Sequence, residues 1–383
     1  MNEYGVSNFS DFDSYSNETR NFLYSLYLTT ARFYFSLGTP EFIISLLGVL
    51  LNIFHLIILT RKTMRTSSIN VFMTGIAICD LLIMIFSCYA RIIVFVLLYY
   101  PCIPTFTYKE ALVELWAGVF KEDFRRVSAW LGVAMASVRL LIIKNSLNPK
   151  FEYLSRPSFG WKSTLVILFL SSILSAFYYA KVQVTEIGFW VPPKDCLEFP
   201  ANYTEVKYGS AIDIELLDEG LVVVKAYLFV DGMLKVIPAV LLPILTFLLI
   251  RELNQVGTNR RKITVTTQTS DKPKKDHTTK LVVIMTVTFF LSEGPVGLIY
   301  FAQIFLIEKE GFIDMTSNLA GILNIFVAIN ATTHCLICIT MSTQYQNCVK
   351  ALFCCGGKPR TTTMGQKSSV SSALSVRNVV VEL

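Results

Sequence analysis

Apolar residues fill seven long windows of the chain, and polar or charged connections separate them. A helix needs about 20 residues to cross the roughly 30 Å hydrocarbon core of a bilayer, and every window reaches that length. The windows cover residues 41–60, 70–99, 111–143, 163–182, 224–250, 280–306 and 316–341. The pattern predicts an all-α fold, a polytopic bundle of seven transmembrane helices that we number span one to span seven. Charges interrupt spans three and five, and a bundle of five is the alternative.

Composition supports the membrane assignment, because 53% of the residues are hydrophobic and only 16% are charged, against about a quarter charged in soluble domains. We expect an extracellular N-terminal segment (1–40), the bundle (41–341), an amphipathic juxtamembrane helix (342–355) and a disordered cytosolic tail (356–383). Residues 1–20 are polar and acidic and lack the apolar stretch of a cleavable signal peptide. Span one is therefore expected to act as the signal anchor.

Basic residues in the short connections predict the orientation. They cluster after spans one, three and five, and the opposite side is acidic; the basic set includes Arg61, Lys62, Arg65, Lys150, Arg156, Lys162, Arg260, Arg261 and Lys262. We expect a plasma-membrane protein with its N-terminus outside and its C-terminus in the cytosol. Sequons for N-glycosylation begin at Asn8, Asn17 and Asn202, all on the predicted outer side. A fourth, at Asn330, falls inside span seven and is rejected.

Only Cys102 and Cys196, of nine cysteines, face the predicted oxidising exterior. Disulfides persist there, so we expect these two to pair; two free thiols are the alternative. Cys354 and Cys355 follow span seven on a short amphipathic stretch, which is typical of palmitoylation, with unmodified thiols as the alternative. The hydroxyl-rich tail suits phosphorylation and arrestin docking, and its last three residues could bind a PDZ domain.

An ionisable residue inside a span carries a free-energy cost in the bilayer, so it marks a candidate functional site. Asp80 has no charged neighbour in its own span, and Asn52 is its predicted partner; simple hydrogen-bonded packing of both is the alternative. In span three, a rotation of 100° per residue places Lys121, Arg125, Ser128 and Arg139 on one stripe. Asp123 and Arg126 lie on the other side with i, i+3 spacing, and we interpret them as a structural pair.

Charges in spans three, five and six predict a chamber of mixed sign. The candidate ligand-binding residues are Lys121, Glu122, Arg125, Asp231, Lys235 and Glu293. One interpretation is mutual neutralisation, because an unpaired buried charge costs several kcal/mol. The other is that a ligand completes or breaks these pairs. The two are compatible.

Several motifs together resemble those of rhodopsin-like G-protein-coupled receptors. Asn52 fits the asparagine of span one, and Asp80 fits the aspartate of IAICDLL in span two. Arg139, in Val138-Arg139-Leu140, fits the arginine that ends span three in that class. Pro238 fits the proline of span five, and FFLSEGP, which contains Phe289 and Pro295, fits the aromatic and proline motif of span six.

Three departures from that class are informative. Val138 replaces the acid that usually neighbours the arginine, and Glu293 stands where a tryptophan is usual. The motif at the end of span seven reads HCLIC from His334 to Cys338, without its proline and tyrosine. With these departures, the stretches 124–139, 278–297 and 329–346 closely resemble the nematode serpentine chemoreceptor class W, a group related to FMRFamide-type peptide receptors.

The resemblance implies a receptor that binds an extracellular ligand and activates a heterotrimeric G protein, without cofactor or metal. It assigns the switch to Arg139, Val138, Pro238, Phe289, Pro295 and His334, and a sodium-like pocket to Asn52, Asp80, Ser128 and Asn330. Because His334 replaces an asparagine there, sodium binding is doubtful. The predicted ligand is a peptide with a basic body and a buried carboxylate or carbonyl end, and a small odorant is the alternative.

A transporter or channel and a membrane enzyme are the alternatives from other classes. A transporter or channel also needs charges in the membrane, but the halves of the chain show no internal repeat. A membrane enzyme needs a nucleophile or a metal cluster, and the three histidines, His55, His277 and His334, lack ligand spacing.

Overall fold

The computed structural model describes residues 9–104, 106–145, 148–179, 182–200, 202–212, 217–263, 275–341 and 343–353. Asn8, Cys354, Cys355 and the tail predicted to be disordered lie outside the described residues. The elements in chain order are α1 (Ser10–Asp13), α2 (Asn17–Ser36), α3 (Gly38–Leu59), α4 (Ser68–Tyr99), α5 (Tyr108–Lys144), a 3-10 helix (Pro149–Ser155), α6 (Pro157–Tyr179), β1 (Val182–Trp190), β2 (Glu205–Ile212), α7 (Leu217–Ile263), α8 (Lys275–Leu306), α9 (Glu310–Met341) and α10 (Thr343–Phe353).

Helices α3 to α9 are the predicted spans one to seven. Within the described ranges, seven helical segments are long and apolar enough to cross a membrane, so the bundle has seven members and the five-span alternative is wrong. The first segment runs from Asn17 to Leu59, 43 residues in length. At about 1.5 Å per residue it would measure about 65 Å, twice the hydrocarbon thickness. Its apolar half, α3, is therefore span one, and α2 extends beyond it.

A β-hairpin follows span four, and the sequence did not predict it. Strand β1 pairs antiparallel with β2 from Val182–Ile212 to Trp190–Glu205, with an irregularity between Glu186 and Gly188. Span four ends at Tyr179 and not at residue 182, because the β-branched, alternating stretch after it forms the strand. A disulfide joins Cys102 to Cys196, as predicted, and ties the hairpin connection to the loop after span two.

We call the end of the bundle that carries β1 and β2 the hairpin end, and the opposite end the α10 end. The largest buried cluster lies at the α10 end, where spans one, two and three pack against α10; it includes Ile58, Leu59, Met64, Phe72, Leu131, Val138 and Tyr345. Large apolar side chains of span four, such as Phe169 and Leu170, point outward and are more than half exposed. An apolar exterior of this kind suits a bundle that is solvated by lipid tails.

The N-terminal arm, residues 9–36, consists of α1, α2 and their joint. Ser16 caps α2, because its side chain accepts a hydrogen bond from the backbone N–H of Thr19. The arm packs against span seven at the hairpin end, where Phe12 contacts Phe312 edge to face. The sequence predicted only an N-terminal segment here, without helices.

Candidate functional site

A buried ion pair connects span three to span six in the hairpin half of the bundle. Arg125 donates through Nε to both carboxylate oxygens of Glu293, at 2.9 and 3.1 Å. Its Nη2 donates to the backbone carbonyl of Ser292 at 3.2 Å, and its Nη1 lies 3.9 Å from Glu122. Both side chains of the Arg125–Glu293 pair are at least 95% buried. Because the pair is buried away from water, its charge-assisted hydrogen bonds hold spans three and six in one relative position.

A second buried cluster surrounds Arg126 and connects span three to spans four and five. Arg126 Nη1 lies 2.6 Å from Asp231 Oδ1 and 3.2 Å from the hydroxyl of Tyr227. Its Nη2 lies 3.5 Å from Asp123, as the i, i+3 spacing allows. Hydroxyls of span four surround these groups, since Ser171 and Ser172 donate to the carboxylate of Asp123 at 2.6 and 3.0 Å. Every charge in this cluster thus has a partner.

Lys235 of span five joins the two clusters. Its ammonium forms ion pairs with Asp231 and, at 3.0 Å, with Glu122, and it lies 4.3 Å from the ring centre of Tyr300. The predicted pair Asp123–Arg126 forms, but it is not separate from the candidate ligand-facing charges. The long side chains reach across the helix surface, and Asp231 and Lys235 bridge the two faces. We call these seven charges the ionic network: Glu122, Asp123, Arg125, Arg126, Asp231, Lys235 and Glu293.

Lys121 stands beside the ionic network without joining it. Among the described residues, no carboxylate lies within 4 Å of its ammonium. The buried cations of the hairpin half all have such a partner; they are Arg91, Arg125, Arg126 and Lys235. Its electrostatic neighbours are Glu122 and Arg125 of the network and the pair Glu41–Arg91. The network has four acids and three bases, so one negative charge remains to balance Lys121, but among the described residues Lys121 makes no direct ion pair.

The pair Glu41–Arg91 connects spans one and two, and sequence reasoning missed it. Arg91 donates to Glu41 through Nε at 2.9 Å and through Nη2, and both side chains are buried. The signal was present, because both residues fall inside predicted spans. The rule that singled out Asp80, that an ionisable group in a span marks a site, would have found them.

The centre of the bundle contains a second polar group around Asp80. Asp80 accepts from the hydroxyl of Ser128 at 3.0 Å, and its other oxygen lies 2.6 Å from Nδ1 of His334. Asn52 is not its partner, contrary to prediction: the Asn52 amide donates to the carbonyls of Gly48 and Ala331. Asp80 thus joins spans two, three and seven, and His334 occupies the position beside its carboxylate.

Asn330, the fourth residue of the predicted sodium-like pocket, accepts from the hydroxyl of Thr288 in span six at 3.1 Å. Phe289 packs with Ala129 and Ala239 between spans three, five and six. Pro238 and Pro295 lie inside spans five and six, where each removes one backbone donor from the helical ladder. Asn330, Phe289 and Pro238 lie between the ionic network and the α10 end, whereas Pro295 lies two residues from Glu293 on its hairpin side.

Arg139 lies near the α10 end with no carboxylate within 4 Å among the described residues. Its Nη2 is 4.0 Å from the sulfur of Met73, and its Nε is buried without a hydrogen-bond partner. Val138 is buried in the adjoining apolar cluster. Arg139 is 14 residues from Arg125, about 21 Å along the helix, so the bundle has one ionic region towards each end.

Tyr345 anchors α10 to the bundle. Its side chain is fully buried, and its hydroxyl lies 2.9 Å from Nδ1 of His55 in span one and 3.7 Å from the sulfur of Cys335 in span seven. Burial raises the pKa of Tyr345, so the phenol stays protonated. Gln344 adds a hydrogen bond to the carbonyl of Thr63 at 2.5 Å.

The candidate glycosylation residues Asn17 and Asn202 are exposed at the hairpin end.

Seven membrane-length helices, an ionic network towards one end and a buried arginine near the other define a heptahelical membrane receptor. The family described as "Serpentine type 7TM GPCR chemoreceptor Srw" matches residues 39–356, and the chain belongs to this family. It is therefore a G-protein-coupled receptor, a multi-pass protein of the plasma membrane with an extracellular ligand and a G-protein partner.

A curated relative is the protein named "G-protein coupled receptor dmsr-1" of Caenorhabditis elegans. The two sequences are 23% identical over an alignment of 369 residues. The alignment covers 86% of this chain and 70% of the relative.

Proposed function

We propose that the receptor binds a peptide at the hairpin end, which faces outward, and activates a heterotrimeric G protein at the cytosolic α10 end. The observation that carries the proposal is that Lys121 makes no direct ion pair among the described residues, beside a network in which every cation is paired. A carboxylate or carbonyl group of the ligand would pair with the ammonium group of Lys121. The exposed acids Asp13 and Glu18 of the N-terminal arm suit a ligand with a basic body.

Binding at Lys121 acts on the neighbouring ionic network. A ligand group that pairs with Lys121 changes the field at Glu122 and Arg125, and Arg125 holds span six through Glu293. Release of that pair frees span six to move. The α10 end then opens, and Arg139, which forms no ion pair with the described carboxylates, meets the G protein. A two-state bundle biased by its ligand behaves in this way.

The test is a screen of transfected cells with a library of short peptides, ending in carboxylate or carboxamide, beside a panel of volatile compounds. The receptor with Lys121→Gln should respond about 10- to 100-fold more weakly to the peptides that activate the natural receptor, because a hydrogen bond to a charged group contributes about 1.5–3 kcal/mol. Lys109→Gln is the matched control, since Lys109 lies exposed on the same helix. Equal potency at both variants would contradict the role of Lys121.

A small environmental molecule is the second candidate ligand, and the family description, which contains the word chemoreceptor, favours it. A response to volatiles without any response to peptides would select it. We also propose glycosylation of Asn8, Asn17 and Asn202, palmitoylation of Cys354 and Cys355, and docking of arrestin and a PDZ domain by the cytosolic tail.

A further inference from the structure

The N-terminal arm is fixed to the end of span seven by aromatic packing and by a helix cap. Phe12 is fully buried and Phe9 is 3% exposed. The two rings pack on each other, on Tyr24 and, through Phe12, on Phe312 of span seven. The carboxylate of Asp11 accepts from the backbone N–H of Gly311 at 3.4 Å, one of the first donors of that helix, which have no partner within it. These contacts hold the arm against the first turns of span seven.

Two glycines of span seven allow this close approach. A Cβ at Gly311 would lie 2.6 Å from the ring of Phe12, and a Cβ at Gly321 would lie closer than 3 Å to the ring of Tyr34. Contacts under 3.0 Å are sterically excluded, so neither position accepts even alanine unless the arm moves. The glycines are ten residues apart, about 15 Å along the axis. The arm thus lies along span seven with one aromatic ring at each glycine.

Tyr34 also connects the arm to spans one and two. The guanidinium of Arg91 lies 4.7 Å from the ring centre of Tyr34, a distance at which a cation is attracted to the ring face. Arg91 is paired with Glu41 of span one. A single tyrosine therefore contacts span seven on one side and the Glu41–Arg91 pair on the other.

We propose that the hairpin end of span seven is a docking surface for the chain's own N-terminal arm, and that the docked arm restrains span seven against spans one and two in the resting receptor. The restraint acts without ligand, so it is independent of the peptide proposal. Undocking removes contacts that exist only in this arrangement, and the equilibrium shifts towards the state in which span seven is free.

The test uses Gly311→Ala and Gly321→Ala, with Gly118→Ala as the control. Alanine is the better helix former at all three positions, but at Gly118 the added Cβ meets nothing within 4 Å. A receptor with an N-terminal epitope tag is treated with trypsin on intact cells. Arg20 and Arg32 are the only basic residues before span one, so loss of the tag reports cleavage of the arm. Arg20→Gln with Arg32→Gln should abolish the loss.

Gly311→Ala and Gly321→Ala should each release the tag at least about threefold faster than Gly118→Ala. Each should also raise ligand-independent nucleotide exchange on the G protein about threefold per surface receptor, a shift slightly smaller than the roughly 5- to 150-fold of typical allosteric coupling. Tyr34→Ala removes the ring from the arm and changes no residue of a span, so it should have the same two effects. It tests the proposal if Gly321→Ala does not reach the cell surface. Unchanged tag release would show that the arm is not docked there. Faster release with unchanged exchange would show that the docked arm restrains nothing.

Discussion

Neutralising Glu293 is the sharpest perturbation of the ionic network, because this residue is the only network member on span six. Glu293→Gln keeps the size of the side chain and its hydrogen-bonding atoms but removes the charge that pairs with Arg125 at 2.9 Å. Arg125 then keeps the carbonyl of Ser292 and the more distant Glu122. We expect the link between spans three and six to weaken without a change in packing volume.

Removal of one partner of a buried pair costs about 3–5 kcal/mol in general. Since Arg125 keeps two other acceptors, we expect Glu293→Gln to destabilise the resting state by about 2 kcal/mol. This changes the equilibrium constant between resting and active states about 30-fold. A receptor that is active about 1% of the time would then be active about a fifth of the time without ligand. The expected result is a clear rise in constitutive activity.

The assay is ligand-independent nucleotide exchange on a G protein in isolated membranes, normalised to surface receptor. Glu308→Gln is the matched control, because Glu308 forms an ion pair with Lys225 that is exposed and therefore contributes little. Arg125→Glu combined with Glu293→Arg restores opposite charges across the two spans and should lower the exchange again. Basal exchange of Glu293→Gln at the level of Glu308→Gln would refute the reasoning.

Four further outcomes are expected. Arg139→Ala should abolish ligand-stimulated nucleotide exchange at unchanged surface expression, and normal exchange would remove Arg139 from the coupling role. Basal exchange should be the same in sodium and in a sodium-free buffer, because Ser128 and His334 already occupy both oxygens of Asp80; a sodium effect would contradict this. Tyr345→Phe should lower the thermal unfolding midpoint of the purified receptor by about 2 °C, since one hydrogen bond contributes about 1 kcal/mol, and an unchanged midpoint would mean that the hydroxyl contributes nothing. Cys102→Ser opens a loop of 94 residues and should cost about 4 kcal/mol of unfolding free energy, seen as reduced surface staining; full staining would show that the bond is dispensable.

The seven spans could be predicted because hydrocarbon thickness demands a minimum run of apolar residues. Even span three, with five charges between Lys121 and Arg126, is helical from Tyr108 to Lys144. The hairpin was missed because its first strand follows the apolar end of span four directly, and hydropathy does not separate a strand from a helix end. The arm was missed because polar residues interrupt the apolar ones of α2, so its hydropathy does not reach that of a span, and because its position depends on contacts with span seven.

The candidate site shows the same division. Helix geometry placed the charges of span three correctly around one axis, and it predicted the approach of Arg125 and Glu293 as members of one chamber. It could not give the rotation and depth of span five, on which the contacts of Asp231 and Lys235 depend. Asn52 illustrates the limit: it lies in the centre with Asp80, but its amide bonds to backbone carbonyls of spans one and seven.

The ionic network also bears on how the receptor is made. Span three leaves the ribosome with five charges within six positions, and each costs about 2.5–3.5 kcal/mol at the centre of an inserted helix, so more than about 10 kcal/mol opposes its insertion alone. The residues that offset this penalty, Asp231, Lys235 and Glu293, are synthesised about 100 to 170 residues later by sequence position. We therefore expect span three to be stable in the membrane only when spans five and six are present. A substitution in span five or six would then appear first as a failure of span three to enter the membrane.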